Sequence, residues 1–598
     1  MARNLTTGLQ RGLRRSLRPG LGGGDLFTTA SLDLNFARYK TLDPRITFTR
    51  ASSGTYVDSQ GVIRTATTNL LLRSEEFGTT WGTLNSSVSA DATIAPNGTS
   101  TADKIIEHST TSVHGVNRTL APESLVNGIV YTFSVYAKAA ERGFIWMQAL
   151  DSFAKSYFNL STGVISSSGS GHTSTITAVG NGWYRCAITF TSDQTNNSYR
   201  AIGIAQTSGT ESYAGDGSSG LFLWGAQLEQ SSTVGEYIPT TSTINSAPRF
   251  NHNPTTGESL GLLVEEQRTN LVLQSENFDG WAKGLATVTT DSINSPVGTQ
   301  TADLITLSAG TGQKGVNTSG TTTGAVTYSV FLKAGTHSII QLLQGGSANN
   351  YANFNISTGV VGNTGTGTTA SITSFGNGWY RCSMSHANNV SGIYVNAASS
   401  LTDGFFPSVT VTGTFYAWGA QLEAGAFPTS YIPTTTAAAT RSADVASISG
   451  SNFSSWYRQD EGSFYAETVA APGVTAASQG IFGLDDGTTS SNYFAGRPTG
   501  RGFRLISRVS GSIDADMVVG IQNDSIFAKT AYGIKTNDYA LFASTGASGF
   551  DTSVLPPPGM INMKIGSHIF SGTWGGTIRR LTYWPQRLSN ATLQAVTQ

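Results

Sequence analysis

The sequence predicts an all-β protein: tandem antiparallel β-sandwich domains of jelly-roll type behind a short, basic, helical N-terminal arm. Three observations carry that expectation. The first is an internal duplication. Thr68-Asn-Leu-Leu-Leu-Arg-Ser-Glu-Glu-Phe77 returns as Thr269-Asn-Leu-Val-Leu-Gln-Ser-Glu-Asn-Phe278, and Asn181-Gly-Trp-Tyr-Arg-Cys186 returns as Asn377-Gly-Trp-Tyr-Arg-Cys382. Trp224-Gly-Ala-Gln-Leu-Glu229 and Tyr237-Ile-Pro-Thr-Thr241 return as Trp418-Gly-Ala-Gln-Leu-Glu423 and Tyr431-Ile-Pro-Thr-Thr435. Each copy spans roughly 170 residues, the size of a domain rather than of a solenoid repeat. The second is alternation: Tyr131, Phe133, Val135 and Ala137 interleave with Thr132, Ser134, Tyr136 and Lys138, and Val326, Tyr328, Val330 and Leu332 repeat the pattern. A period of two marks half-buried strands. The third is composition. Glycine makes up 69 of 598 residues and aromatics 10%, while charged residues are only 12%; this mixture favours strands joined by many turns.

Residues 1–25 stand apart from that pattern. Leu5, Leu9, Leu13 and Leu17 recur every fourth residue, on one helical face, with Arg11, Arg14, Arg15 and Arg18 around them. Pro19-Gly20 ends the helix and Leu21-Gly-Gly-Gly24 makes a flexible tether. The stretch reads either as a solvated basic tail or as an arm docking on a larger partner; an Arg-rich transit peptide shares the composition.

Residues 26–68 hold strand-like runs at Leu32-Asp-Leu-Asn-Phe36 and Ile46-Thr-Phe-Thr-Arg50, and a strand, turn and strand from Tyr56 to Ile63. In both copies of the duplication an Asn-Gly pair, which tolerates two positive φ angles, precedes a tryptophan-led strand (Trp183, Trp379). Leu221–Trp224 and Phe415–Trp418 complete each sandwich. Residues 244–268 connect the copies through short strands around Asn253-Pro-Thr-Thr-Gly257. Residues 447–598 carry a different series of strands, from Ser463-Phe-Tyr-Ala-Glu467 to Gly576–Trp584, and a terminal helix capped by Ser589. The expected division is 1–25, arm; 26–68 with 244–268, a small β connector; 69–243, first repeat, inserted into that connector; 269–437, second repeat; 447–598, a further sandwich.

Several function classes find no support. A net charge of −1 supplies no field for nucleic acid or an anionic membrane. No apolar run approaches the roughly 18 residues that span a bilayer, and no secretory core follows the N-terminus. The two cysteines, Cys186 and Cys382, occupy equivalent places in separate repeats and read as free, buried thiols. Sandwich glycanases align carboxylates as Glu-x-Asp-x-x-Glu, which does not occur; Glu75/Glu76, Glu265/Glu266 and Asp485/Asp486 are neighbours that a strand would point to opposite faces. There is no His-Glu-x-x-His, Gly-x-Ser-x-Gly or phosphate-loop string. No catalytic residue, cofactor or metal ligand is therefore expected, apart from Asp485 and Asp486, which offer at most one lobe of a calcium loop. Trp183, Trp224, Trp379 and Trp418 read as core. Trp574, Tyr583 and Trp584 are candidates for stacking on a sugar ring, against a core or subunit-contact reading.

Leu42-Asp-Pro-Arg-Ile-Thr-Phe-Thr-Arg-Ala-Ser-Ser-Gly-Thr-Tyr56, Gly261-Leu-Leu-Val-Glu-Glu-Gln-Arg-Thr-Asn-Leu271, Asn-Gly-Trp-Tyr-Arg and Trp-Gly-Ala-Gln-Leu-Glu resemble stretches of bacteriophage tail-fibre and virion structural proteins. The last module, from Asn452-Phe-Ser-Ser-Trp456 to Pro585, resembles the concanavalin-A-like lectin or laminin-G sandwiches of such proteins. The resemblance implies an elongated fibre on the phage particle, made in the host cytoplasm. Its arm would bind virion tail or capsid proteins, its repeats would act as spacers and its lectin-like end would contact host-surface polysaccharide. It also implies a homo-oligomer, a trimer by analogy, with no nucleic acid and no membrane insertion. A head fibre or capsid decoration protein, and a polysaccharide depolymerase, are the alternatives.

Overall fold

The structure, a computed structural model, describes residues 26–598 except 120–124, 150–153, 194–198, 471–478, 498–501, 521–526 and 569–571. The arm residues Leu5, Leu9, Arg11, Leu13, Arg14, Arg15, Leu17 and Arg18 lie outside the described residues. Among the described residues the regular structure is nearly all strand, every paired strand is antiparallel and helices are short, as the alternation and composition predict.

Each repeat is a two-sheet sandwich. In the first, one sheet runs Thr173–Gly180, Trp183–Thr191, Val130–Ala139, Gly220–Glu229, Ala102–Glu107, Ser86–Thr93. The other runs Val164–Ser167, Lys155–Asn159, Phe144–Gln148, Tyr199–Ala205, Thr111–Thr119, Ser212–Ala214. Phe133, Val135, Ile145, Phe158, Ile188 and Ile204 meet between them. The second repeat has the same order around Val326–Ala334, with Val330, Leu332, Ile340 and Phe354 in the core. Asn181 and Gly182 take φ of 51° and 79°, and Asn377 and Gly378 take 49° and 78°, the double positive φ that their tight turns require. One detail departs from a half-buried strand: Thr132 and Ser134 are buried too. The segment after the last strand folds back over them, so that Thr132 Oγ1 donates to the Ser231 carbonyl at 2.9 Å.

The C-terminal sandwich is larger than residues 447–598. One of its sheets runs Arg249–His252, Ser259–Val264, Gly576–Trp584, Glu461–Ala470, Phe527–Lys535, Tyr539–Ala543, Ser548–Asp551, and Leu32–Leu34 also pairs with Leu581–Tyr583. The facing sheet begins with Thr47–Thr49, paired to Val445–Ser447, and continues through Asn562–Ile565, Gln479–Asp485 and the hairpins after it. Leu32, Leu34, Phe36, Leu262 and Val264 belong to the same core as Phe464, Phe482, Leu541 and Ile578.

This corrects the expected small β connector. Residues 26–68 and 244–268 do touch, through Thr68–Asn69 paired with Asn245–Ser246. They make no unit of their own, however, because strands of three to six residues cannot bury a core without more partners; they finish the C-terminal sandwich instead. The second repeat leaves and returns in the same manner, through Arg268–Asn270 paired with Ala439–Arg441. Both repeats are thus excursions from one discontinuous sandwich.

The expectation of repeats as spacers between an anchoring and a recognition end is corrected for the same reason. Phe27 packs on Tyr465 and Trp584 with ring centroids 5.5 and 5.7 Å apart, and Arg580 pairs with Asp33 at 2.7 Å. Phe27 and Asp33 therefore lie on the C-terminal sandwich itself.

Candidate functional site

The sequence motifs converge where the chain crosses between modules. Arg50, Arg249 and Arg441 come from three distant stretches and are buried together with Glu265 and Asp444. Asp444 takes Arg50 at 2.7 Å on one oxygen and Arg249 at 2.5 Å on the other. Glu265 takes Arg249 at 2.7 Å and Arg441 at 3.2 Å, and accepts from the Ser430 backbone N–H and hydroxyl, each at 2.7 Å. The Asp444 backbone N–H donates to the Glu265 carbonyl, and the Glu265 backbone N–H donates to the Asp444 carboxylate, each at 2.9 Å. Gly54 lies against all three arginine side chains: an added Cβ would sit 3.1 Å from Arg50 Nε and 3.3–3.4 Å from the other two. That explains the small residue in Arg50-Ala-Ser-Ser-Gly54 without recourse to a ligand.

The environment sets the charges. Burial alone would raise the Glu265 carboxyl, but Arg441 and Arg249, with the Ser430 bonds, hold it down at about 2. Burial, with Arg249 beside it, draws the Arg50 guanidinium down to about 10 against the pull of Asp444. Because Glu265 has a lower pKa folded than unfolded, its stabilisation is complete above the ordinary value of 4.5 and is lost as pH falls toward about 2. Urea unfolding from pH 5 to 2 is therefore expected to show a falling midpoint, and Glu265→Gln is expected to flatten that slope while lowering the midpoint at pH 7. An unchanged slope would remove Glu265 from the account.

Above this junction lies a cleft of about 650 Å³ with walls from three parts of the chain. The C-terminal sandwich contributes Phe527, Thr577 and Arg579, with Asn251, His252 and Glu258 of its edge hairpin; the second repeat contributes Ser371 and Thr373; the Thr55–Thr65 hairpin contributes Tyr56. Phe527 is 40% exposed, at the start of its strand, with the Arg579 guanidinium 5.1 Å from its ring centre. Arg579 is held by Glu258 at 2.8 Å. Tyr56 is half-buried, and burial, with Asp58 nearby, raises its phenol above the ordinary value, so it stays neutral and keeps its O–H. Buried His252 donates from Nδ1 to the Val57 carbonyl at 3.1 Å, and its Nε2 is buried without a hydrogen-bond partner among the described residues. Apolar ring surface flanked by hydroxyl, amide and imidazole groups suits a ligand that alternates C–H faces with hydroxyls.

The residues singled out from sequence lie elsewhere. Trp574, Tyr583 and Trp584 are 1%, 0% and 0% exposed and cannot stack on a sugar. Tyr583 and Trp584 are neighbours on one strand and face opposite sides, yet both sides are covered. Tyr583 packs on Phe464 in the sandwich core, ring centres 4.6 Å apart, while Trp584 lies beneath Phe27 and the C-terminal helix and donates from Nε1 to the Leu26 carbonyl at 3.0 Å. Trp574 donates from Nε1 to the Thr577 carbonyl at 3.2 Å. Asp485 and Asp486 do not converge: Asp485 accepts from Gly487 N and Asn562 Nδ2, both at 3.0 Å, and Asp486 from the Thr488 backbone and hydroxyl at 2.8 and 2.7 Å. Asp486 serves its own turn and Asp485 is shared between its turn and the Asn562 side chain, and among the described residues no group of three His, Cys, Asp or Glu side chains is placed to hold a metal ion. The cleft residues went unnoticed because Tyr56, His252, Phe527 and Arg579 share no spacing or motif; only the fold brings them together.

No known family model matches this chain, and no curated protein matches it. Among solved structures it is similar to the CBM40 of the Ruminococcus gnavus IT-sialidase bound to alpha2,3 sialyllactose, at 17% identity and a TM-score of 0.21, covering 23% of this chain and 83% of that one. It is similar to the N-terminal CBM22-1-CBM22-2 tandem domain of Paenibacillus barcinonensis Xyn10C at 14% identity and a TM-score of 0.18, covering 60% and 98%. Domains LG4-5 of the mouse laminin alpha1 chain match at 10% identity and a TM-score of 0.17, covering 52% and 93%. The β-sandwich class assigned to this chain rests on its own sheets.

Proposed function

We propose that this chain is a non-catalytic fibre protein of a phage particle that binds host-surface glycan in the cleft between the lectin-like sandwich and the second repeat. The observation that carries the reading is the pairing in one cleft of an exposed ring, Phe527, with polar groups held by other parts of the chain: Arg579 on Glu258, and the half-buried Tyr56 phenol. The phage assignment draws on the sequence motifs, which build the junction beneath the cleft; attachment through residues 1–25 and a homotrimeric state belong to the same reading.

The test is an array of bacterial surface polysaccharides probed with the full-length protein and with Phe527→Ala. The wild type is expected to bind, and the variant to bind more weakly by about fivefold or more, since loss of one stacked ring is worth about 1 kcal/mol or more. Its thermal midpoint is expected to be unchanged, because Phe527 is substantially exposed. Equal binding by the variant would take the site out of this cleft, and shortening of the bound chains would overturn the non-catalytic reading.

A further inference from the structure

The two repeats share one apolar face, and among the described residues the chain covers it in only one of them. In the second repeat the face is built by Phe331, Trp379, Trp418 and Tyr431. Over it lies the hairpin formed by Thr55–Val57 and Ile63–Thr65, with Val57 and Ile63 buried against these rings. The hairpin is fastened by backbone as well: Ile63 N donates to the Pro296 carbonyl at 2.9 Å, and Thr55 Oγ1 donates to the Tyr431 carbonyl.

The first repeat carries the matching face in Tyr136, Trp183, Trp224 and Tyr237. The match is structural as well as sequential. Trp183 Nε1 donates to the Ile94 carbonyl as Trp379 Nε1 does to that of Asn294. Tyr237 meets the Ser74 hydroxyl as Tyr431 meets that of Ser275, both at 2.7 Å. Trp224 and Tyr237 lie 4.7 Å apart between ring centres, against 4.6 Å for Trp418 and Tyr431.

Among the described residues, however, no hairpin packs on this second face, and its cluster holds only side chains of the first repeat. Tyr136 and Tyr237 are half-buried where Phe331 and Tyr431 are buried. Beside them Ile94 is 63% exposed and Val179 42%. At the matching places the second repeat has Asn294 and Phe375, and Phe375 packs edge-on against Phe331 with ring centres 4.9 Å apart. Ile94 and Val179 thus place aliphatic surface at the rim of the uncovered face.

We propose that this face of the first repeat is a docking site for a β-hairpin carried by another protein. That hairpin would present two aliphatic side chains on one side, as Val57 and Ile63 do, and a backbone N–H toward the Pro96 carbonyl. The chemistry of the occupant is taken from the segment of this chain that fills the duplicate site. A second copy of the chain does not supply it, because among the described residues each chain has one such hairpin and already uses it on its own second repeat. The inference is independent of glycan binding in the cleft.

The probe is a cyclised peptide of residues 55–65, closed because a lone hairpin is marginally stable in water. Titrated into the full-length protein, it is expected to bind saturably at one site. The double variant Ile94→Asp, Val179→Asp is expected to weaken that binding at least tenfold with no change in thermal midpoint, since both side chains are exposed. Asn294→Asp, at the matching place in the second repeat, is expected to leave it unchanged. Absence of binding, or binding indifferent to the double variant, would overturn the proposal. Binding seen only after deletion of residues 1–25 would make the protein's own arm the occupant and overturn it equally. So would a self-association, measured by sedimentation, that the double variant abolishes.

Discussion

Asp444→Ala is expected to be the most damaging single substitution in the junction, lowering the unfolding free energy by about 3–5 kcal/mol, the usual result of removing one partner from a buried ion pair. Asp444 uses one oxygen for Arg50 and the other for Arg249 and also accepts from the Glu265 backbone N–H. Its removal leaves three buried guanidiniums facing the single carboxylate of Glu265. Arg50 is already drawn down by burial and by Arg249, so the loss of its main counterion cannot be absorbed by a neighbour. The measurement is urea unfolding of the full-length protein, with tryptophan fluorescence and far-UV circular dichroism read together. A loss below about 1 kcal/mol, the size of a surface pair, would show that the network does not hold the modules together. Asp444→Asn is the informative companion: it keeps the shape and some of the hydrogen bonds, and its cost isolates the charge.

The second large effect is expected at Asn69 and Asn270. Each is buried with its amide fully used. Asn69 donates to the Ala226 and Ile238 carbonyls at 3.0 and 2.8 Å and accepts from Leu71 N and Leu228 N at 3.1 and 3.2 Å. Asn270 repeats all four bonds with Ala420, Ile432, Val272 and Leu422. Alanine at either position leaves two carbonyls and two N–H groups without these partners, and at roughly 1–3 kcal/mol per buried group a loss of about 3 kcal/mol or more is expected. The loss should be local, since the two repeats have separate cores. Asn69→Ala is expected to raise hydrogen exchange across Val130–Ala139 and Gly220–Glu229 while leaving Val326–Ala334 and Glu461–Ala470 protected. Asn270→Ala is expected to raise exchange in Val326–Ala334. Equal exchange everywhere in either variant would mean that the chain unfolds as one unit.

The strands were readable because alternation is a local property. Tyr131, Phe133, Val135 and Ala137 face one way on any extended chain, and the sandwich buries them. The Asn-Gly turns were readable for the same reason, as two residues that tolerate positive φ do so wherever they stand. The repeated Asn of Thr-Asn-Leu and the repeated Gln of Trp-Gly-Ala-Gln-Leu-Glu were visible as motifs, but their role was not. Each bonds backbone groups more than 100 positions away or in a returning tail, as Asn69 does with Ile238 and Gln227 with the Glu236 carbonyl.

The candidate site was the least readable part. An aromatic pair such as Tyr583 and Trp584 looks half available, since one ring must leave the core. Which ring is covered from outside depended on residues near Leu26, more than 500 positions earlier. Phe527 and Arg579, which do reach the cleft, sit in no pattern that separates them from other aromatic and basic residues.

By itself the sequence determined the all-β class, the duplication, most strands and their turns, because those follow from the preferences of neighbouring residues. Only the tertiary structure decided that Leu32–Leu34 and Ser259–Val264 complete the C-terminal sandwich, that both repeats spring from it, and that one repeat's apolar face is covered while, among the described residues, the other's is not. The physical reason is that pairing an edge strand or burying a guanidinium depends on which partner arrives, and a partner hundreds of residues away leaves no periodic trace in the chain that receives it.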